Sequence, residues 1–114
     1  MELDLTQLTH ELERYQSLID ADPKNHQLWF MLAQIYQRKH QIENAVNAYE
    51  QALDLEELPE YLFRLGEMYF DLKEFSKALE CLLKVLDKVD KDWKYYEETV
   101  YLIDELYTND SCCW

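Results

Sequence analysis

The side chains of this chain that are best suited to chemistry are three cysteines and three histidines. Cys112 and Cys113 are adjacent, and such a pair could carry thiol chemistry, hold a metal ion or accept a lipid. The pair lacks the Cys-x-x-Cys spacing of redox and zinc sites, so we predict an inert tail, with thiol catalysis as the alternative. His10, His26 and His40 lie far apart, without the spacing of metal ligands. We therefore predict no enzymatic activity, no catalytic residue, no metal site and no cofactor.

The charged residues limit the classes of partner. The chain has 24 Asp and Glu residues against 11 Lys and Arg residues, which gives a net charge of −13. Nucleic acids and anionic membranes bind cationic surfaces, so we predict that neither is a partner. The acidity favours a basic protein partner, or else it only keeps the protein in solution. None of the many carboxylates forms a recognisable acid–base pair.

The composition is typical of an all-α protein. One glycine and two prolines among 114 residues cannot supply the turns of an all-β domain or a glycine-rich phosphate loop. No apolar run is long enough for a membrane span, and the acidic start of the chain does not resemble a secretory signal. The number of cysteines is odd, and we expect Cys81 to be a core residue. These features together predict a cytoplasmic location.

Apolar residues recur at helical spacing along nearly the whole chain. Leu5, Leu8, Leu12, Tyr15 and Ile19, for example, form one stripe of a helix. Proline residues and polar clusters separate successive stripes. The pattern predicts six helices, over residues 4–21, 26–39, 43–56, 59–72, 75–89 and 92–108, followed by a flexible tail over residues 109–114.

The sequence repeats itself with a period of about 34 residues, and each unit contains two predicted helices. Such a period indicates a helical solenoid. We expect small residues where the two helices of a unit cross, because their backbones approach closely there. One constant shift along the sequence superimposes apolar and small positions of two units, namely Leu32 on Leu65, Ala33 on Gly66, Tyr36 on Tyr69 and Ala45 on Ala78.

Two stretches of the chain carry the motif of a known family. The first reads Trp29-x-x-Leu32-Ala33-x-x-Tyr36 followed by Ala45-x-x-x-Tyr49, and the second reads Leu62-x-x-Leu65-Gly66-x-x-Tyr69 followed by Ala78-x-x-x-Leu82. They resemble the tetratricopeptide repeat (TPR) family, although two closing prolines of its pattern are absent. The resemblance implies an all-α solenoid of helix-turn-helix repeats in a single domain over residues 1–108. Its parts are whole repeats at 25–58 and 59–91 and flanking helices at 4–21 and 92–108.

In families of this kind, the first helix of each repeat lines a concave groove that receives a peptide. The resemblance, supported by helical periodicity, assigns nine partner-binding residues to this face: Phe30, Gln34, Glu60, Phe63, Glu67, Phe70, Asp71, Glu97 and Tyr101. Four aromatic rings at positions that we expect to be exposed suggest a binding surface. The alternative is that the first helix or the tail covers these rings.

The predicted function is that of a protein-interaction module. Aromatic rings edged by carboxylates suit a peptide with apolar and basic residues, partly through cation–π contacts. Small acidic TPR proteins resemble chaperones that escort apolar segments of other proteins, so an escort is the more specific prediction. The alternative is an assembly scaffold that dimerises or docks through its last helix, which has a wide apolar arc. The homodimer contacts predicted on this alternative are Trp93, Tyr95, Leu102 and Leu106.

Overall fold

The computed structural model describes residues 5–109, in which every regular element is a helix. The helices are α1 (Leu5–Ala21), α2 (His26–Arg38), α3 (Ile42–Leu55), α4 (Pro59–Asp71), α5 (Phe75–Lys88) and α6 (Tyr96–Asn109). The all-α prediction is thus confirmed over this range. The predicted bounds of α2 to α5 are within one residue at each end. The predicted start of α1 at residue 4, the residues of the tail after Asn109, and with them Cys112 and Cys113, lie outside the described residues.

Local signals in the sequence fix several helix ends. The Asn25 side chain caps α2 by accepting a hydrogen bond from the Gln27 amide at 3.1 Å. Pro59 occupies the first turn of α4, where its missing N–H costs nothing. The turns after α2 and α4 each contain one residue with a left-handed backbone, His40 at φ 61° and Lys73 at φ 63°. These two residues are equivalent positions of successive repeats, so the repeat extends to the backbone geometry of the turns.

The start of α6 differs from the prediction. We predicted a helix from residue 92, and it begins at Tyr96. The chain first makes a turn in which Asp90 Oδ1 accepts from the Asp92 amide at 3.0 Å and the Asp90 carbonyl accepts from the Trp93 amide at 3.2 Å. An aspartate that binds the backbone two residues ahead favours a turn over a helix.

The helices separate into two compact units, with the boundary between Glu57 and Leu58. Unit 1 contains α1, α2 and α3. Its α2 and α3 pack as a hairpin, and α1 packs against α2. Ala33, Ala45 and Ala52 are fully buried, as expected for small residues at helix crossings. Tyr49 is also fully buried, and its hydroxyl lies 2.9 Å from Gln37 Oε1, to which it donates a hydrogen bond.

Unit 2 contains α4, α5 and α6, with α4 and α5 packed as a hairpin and α6 packed against α5. Ala78, Leu82 and Val85 form the fully buried stripe of α5. Cys81 lies at the edge of that stripe and is half-buried, so the prediction of a core position is wrong. The prediction of a single domain over residues 1–108 stays a prediction.

Candidate functional site

Three aromatic rings of unit 2 pack together where α4 meets the connection between α5 and α6. Phe63 is fully buried. The Tyr95 ring stacks on it with centroids 4.8 Å apart and planes 4° apart, and the Trp93 ring meets Phe63 edge-on at 5.9 Å. The prediction that Phe63 is exposed is therefore wrong. Residues that we had placed on the last helix instead lie in the turn before it, and they cover the ring.

Arg64 holds this connection against α4. Its Nη2 donates a hydrogen bond to the Tyr95 hydroxyl at 3.1 Å, and its Cζ lies 5.0 Å from the centroid of the Tyr95 ring. Its Nη1 lies 3.0 Å from Glu67 Oε1 in an ion pair. Sequence analysis missed Arg64, although its spacing of three from Glu67 on one helix is a usable signal.

The connection itself contains a basic residue, Lys94, that contacts α4. Lys94 Nζ lies 3.7 Å from Glu60 Oε1 and 4.9 Å from the centroid of the Tyr95 ring. Glu60, a predicted binding residue, thus pairs within its own unit. Lys94 is exposed and Glu60 is only half-buried, so the pair contributes little to the free energy of unfolding.

Glu67 is a titratable residue with a shifted pKa. Partial burial raises the pKa of its carboxyl above the ordinary value, and the nearby Glu98 and Asp71 carboxylates raise it further. The charge and hydrogen bond of Arg64 lower the pKa but do not offset the burial. Arg64 alone therefore does not offset the cost of ionising the partly buried Glu67 carboxyl. An additional cation beside it would stabilise its ionised form.

An open depression of about 410 Å³ lies between α4 and α6. Its lining comprises Glu67 from α4 and Glu97, Glu98, Tyr101 and Leu102 from α6. Tyr101 is 63% exposed, so its ring faces solvent as predicted. Three of the nine predicted binding residues line this depression. Glu98 was missed, and Leu102 had been assigned to a dimer contact.

Four other predicted binding residues are not part of this lining. Phe70 and Asp71 are at the end of α4, where the half-buried Phe70 ring packs edge-on against Phe75 at 5.8 Å and Asp71 is exposed. Phe30 and Gln34 are half-buried on α2 of unit 1, and the Phe30 ring lies 5.6 Å from that of Tyr49. Whether any of them contacts a partner stays a prediction.

The four residues predicted to form a homodimer contact are largely engaged within unit 2. Leu106 is buried with 1% exposure, and Trp93 and Tyr95 pack against Phe63. Leu102 is half-buried at the depression. The large apolar side chains that α6 exposes are instead those of Tyr101 and Tyr107.

Unit 1 contains a second, larger depression, of about 680 Å³, among α1, α2 and α3. Sequence analysis did not find it, because its lining comes from three helices that periodicity treats separately. Between residues 5 and 109, no cluster of His, Cys, Asp and Glu side chains has the make-up of a metal site. No helix in that range is long and apolar enough to cross a membrane.

The chain contains two helical hairpins, and the turns and helix crossings of one correspond to those of the other at one constant shift along the sequence. This arrangement defines a helical repeat protein. The sequence profile described as tetratricopeptide repeat matches residues 30–92, which is more than half of the chain. The chain belongs to the TPR family. A comparison with curated proteins gives no significant match.

Solved structures share this fold at low sequence identity. The type III secretion chaperone SycD of Yersinia enterocolitica, in complex with a peptide of the translocator YopD, has a TM-score of 0.83 and 14% identity, over 92% of this chain and 83% of SycD. The TPR2B domain of yeast Sti1, in a complex with pHsp70, has a TM-score of 0.80 and 15% identity, over 91% and 86% of the two chains. A thermophilic TPR protein of Thermus thermophilus has a TM-score of 0.78 and 22% identity, over 90% and 55%. At these identities the likeness shows the fold alone.

Proposed function

We propose that this protein is an interaction module that binds a segment of a partner protein at the acidic depression of unit 2, and that it acts as a chaperone or escort. The observation that carries the proposal is the lining of the depression, which consists of three glutamates, an exposed tyrosine and a leucine. The segment that suits this lining is extended and combines apolar residues with lysine or arginine.

The lining offers three kinds of contact to such a segment. The exposed carboxylates of Glu97 and Glu98 attract a cationic side chain without requiring their own burial. The Tyr101 ring provides a face for a cation–π contact, which contributes about 0.5–1 kcal/mol at an exposed site. Leu102 provides an apolar surface for the aliphatic stem of lysine or arginine, or for a neighbouring apolar residue.

Glu67 adds a reason for a basic ligand. Its carboxylate carries a raised pKa because Arg64 does not fully offset its partial burial. A lysine or arginine side chain in the depression would supply the missing positive charge, and binding would then lower the pKa of Glu67. The net charge of −13 adds a long-range attraction for the same partner.

The related folds support a peptide as the class of ligand. SycD is a chaperone whose complex holds a peptide of YopD, and the Sti1 domain is in a complex with pHsp70. Both cover more than nine-tenths of this chain in the structural comparison. This likeness supports a peptide as the class of ligand. The residues that we expect in that peptide follow from the chemistry of the depression.

The test is fluorescence anisotropy with a labelled peptide in which leucine and lysine alternate. We expect Tyr101→Ala and the double variant Glu97→Gln/Glu98→Gln each to weaken binding about fivefold or more, because each removes about 1 kcal/mol of contact or attraction. A peptide with glutamate in place of lysine should not bind. The matched control is Asp54→Asn/Asp87→Asn, which changes the net charge equally at exposed residues outside the depression.

The control separates a site from general attraction. If the control variant weakens binding as much as the double glutamine variant does, the acidic surface attracts the peptide without a defined site, and the proposal is wrong. Dimerisation through α6 is the other candidate function, and exposed Tyr101 and Tyr107 are the observation in its favour. Light scattering after gel filtration distinguishes the two, because only the scaffold function requires a dimer in the absence of peptide.

A further inference from the structure

The larger depression, in unit 1, differs in chemistry from the acidic one. Its volume is about 680 Å³, and Phe30 and Gln34, the predicted binding residues of this unit, are not part of its lining. Asp20 is the single ionisable carboxylic acid among the lining residues, and no lysine, arginine or histidine lines it. In a chain of net charge −13, a lining with one carboxylate among its ten residues carries little charge.

The floor of the depression is apolar and already formed. Ile19, Leu32 and Ala48, one from each helix, are buried with 6%, 4% and 3% exposure. Two half-buried rings stand beside this floor, and each is held by a hydrogen bond. Trp29 Nε1 donates to the Pro23 carbonyl at 3.0 Å, and the Tyr36 hydroxyl accepts from Gln16 Nε2 at 3.3 Å. Preformed walls reduce the entropy lost when a ligand is bound.

The rim is made of side-chain amides. Asn44, Asn47 and Gln51 are exposed, lie on one stripe of α3 and line the depression. Each amide has a carbonyl that accepts and an NH₂ group that donates, which matches the N–H and C=O of a peptide backbone. An apolar floor with a few amides at its rim is a typical design of a ligand pocket.

We propose that this depression is a second binding site, which takes an uncharged, extended stretch of polypeptide. One aliphatic side chain of the ligand lies on the floor between the two rings, and its flanking backbone amides bond to Asn47 and Gln51. An anionic ligand is disfavoured because the one charged residue of the lining is Asp20 and no cation lines the depression. A cationic side chain would gain little from the exposed Asp20 carboxylate and would lose hydration on the apolar floor. The proposal does not depend on the function proposed for unit 2.

The probe for this site is N-acetyl-L-leucine N-methylamide, which carries one aliphatic side chain between two peptide groups. Added to the ¹⁵N-labelled full chain, it should shift the Trp29 indole N–H signal and the side-chain NH₂ signals of Asn47 and Gln51 along one saturating curve. For a ligand of this size we expect a dissociation constant of about 1 mM. The lysine and glutamate analogues of the probe should bind more weakly than the leucine compound.

Two matched variants decide whether the amides take part. Gln51→Glu should raise the dissociation constant about fivefold, because one hydrogen bond is lost and a charge enters the neutral rim. Gln27→Glu makes the same chemical change at an exposed residue of α2 outside the lining, and it should leave the constant unchanged. Equal effects in the two variants would overturn the proposal, as would shifts that do not saturate. If the same signals move when the protein alone is concentrated, a second copy occupies the depression and the proposal is wrong.

Discussion

Gly66 marks the place where the packing of unit 2 leaves no room for a side chain. An added Cβ would lie 2.8 Å from Leu82 Cδ2 and 2.9 Å from Leu82 Cγ. Carbon atoms in contact are ordinarily about 3.5–4.0 Å apart, so the overlap is about 0.6 Å or more. Leu82 is fully buried, and its Cγ lies close to the backbone, so the side chain cannot swing aside. The Gly66→Ala variant therefore overpacks the crossing of α4 and α5.

The size of the effect follows from two opposing contributions. Overpacking a core costs about 1–3 kcal/mol. Alanine is favoured over glycine inside a helix by about 0.8–1.0 kcal/mol. We expect Gly66→Ala to lower the free energy of unfolding by about 1 kcal/mol, whereas helix propensity alone would raise it. The sign of the change is thus the informative result.

The assay is urea denaturation followed by far-UV circular dichroism, in two backgrounds. In a Leu82→Ala background the overlapping atoms are gone, and Gly66→Ala should then raise the free energy of unfolding by up to about 1 kcal/mol. Ala33→Gly at the corresponding position of unit 1 should lower it by about 1 kcal/mol. If Gly66→Ala stabilises the protein with Leu82 in place, the steric reasoning is refuted.

Three further predictions concern the repeat and the site. Ala45→Leu and Ala78→Leu should each lower the free energy of unfolding by about 1–3 kcal/mol, because both residues are fully buried at helix crossings; unchanged thermal melting in both would refute the register of the repeat. Lys73→Gly should leave the free energy of unfolding unchanged or raise it by up to about 1 kcal/mol, because glycine adopts the φ of 63° at this position more easily than lysine does. Urea denaturation measures the change, and Ser76→Gly inside α5 is the control, with an expected loss of about 0.5 kcal/mol. A similar loss in Lys73→Gly would contradict the prediction. The raised pKa of Glu67 means that the folded state keeps a proton which the unfolded state has lost, so its contribution to stability falls as pH rises from the ordinary pKa of 4.5 through the folded pKa. The stability of wild type relative to Glu67→Gln, measured by denaturation at several pH values, should decrease in that window, and an increase would contradict the sign.

The repeat could be predicted from the sequence because each of its signals is local. Helical stripes, Pro59 at the start of α4 and small residues that recur at equivalent positions of the two units require no knowledge of distant contacts. These signals placed the ends of α2 to α5 within one residue. They also identified Ala45 and Ala78 as buried crossing residues.

The candidate site was only partly predictable, because it depends on the path of a connection. Periodicity continued the last helix back to residue 92, whereas the Asp90 turn delays it to Tyr96. Because α6 begins later, Tyr95 lies in the preceding turn, where its ring stacks on Phe63. Phe63, which we predicted to line the groove, is therefore buried. Glu97 and Tyr101, which the helical pattern of α6 assigned to the predicted binding face, line the depression because that pattern holds there.

The depression in unit 1 also could not be predicted from local sequence patterns. Asn47 and Gln51 read as ordinary solvated positions of α3, and nothing in their spacing indicates a pocket. Their role as a rim depends on how α1 packs beside α2, which no local pattern specifies. A pocket formed by three helices becomes visible only when the helices are assembled.

The most direct test of the central claim is to map the bound peptide on the full chain by NMR. The ¹⁵N-labelled protein is titrated with the alternating leucine and lysine peptide, and backbone amide shifts are followed to saturation. The account predicts that the largest shifts lie at Glu67 and along Glu97, Glu98, Tyr101 and Leu102, and that they are lost in Tyr101→Ala. Saturating shifts confined to other residues, or equal shifts in wild type and Tyr101→Ala, would contradict it.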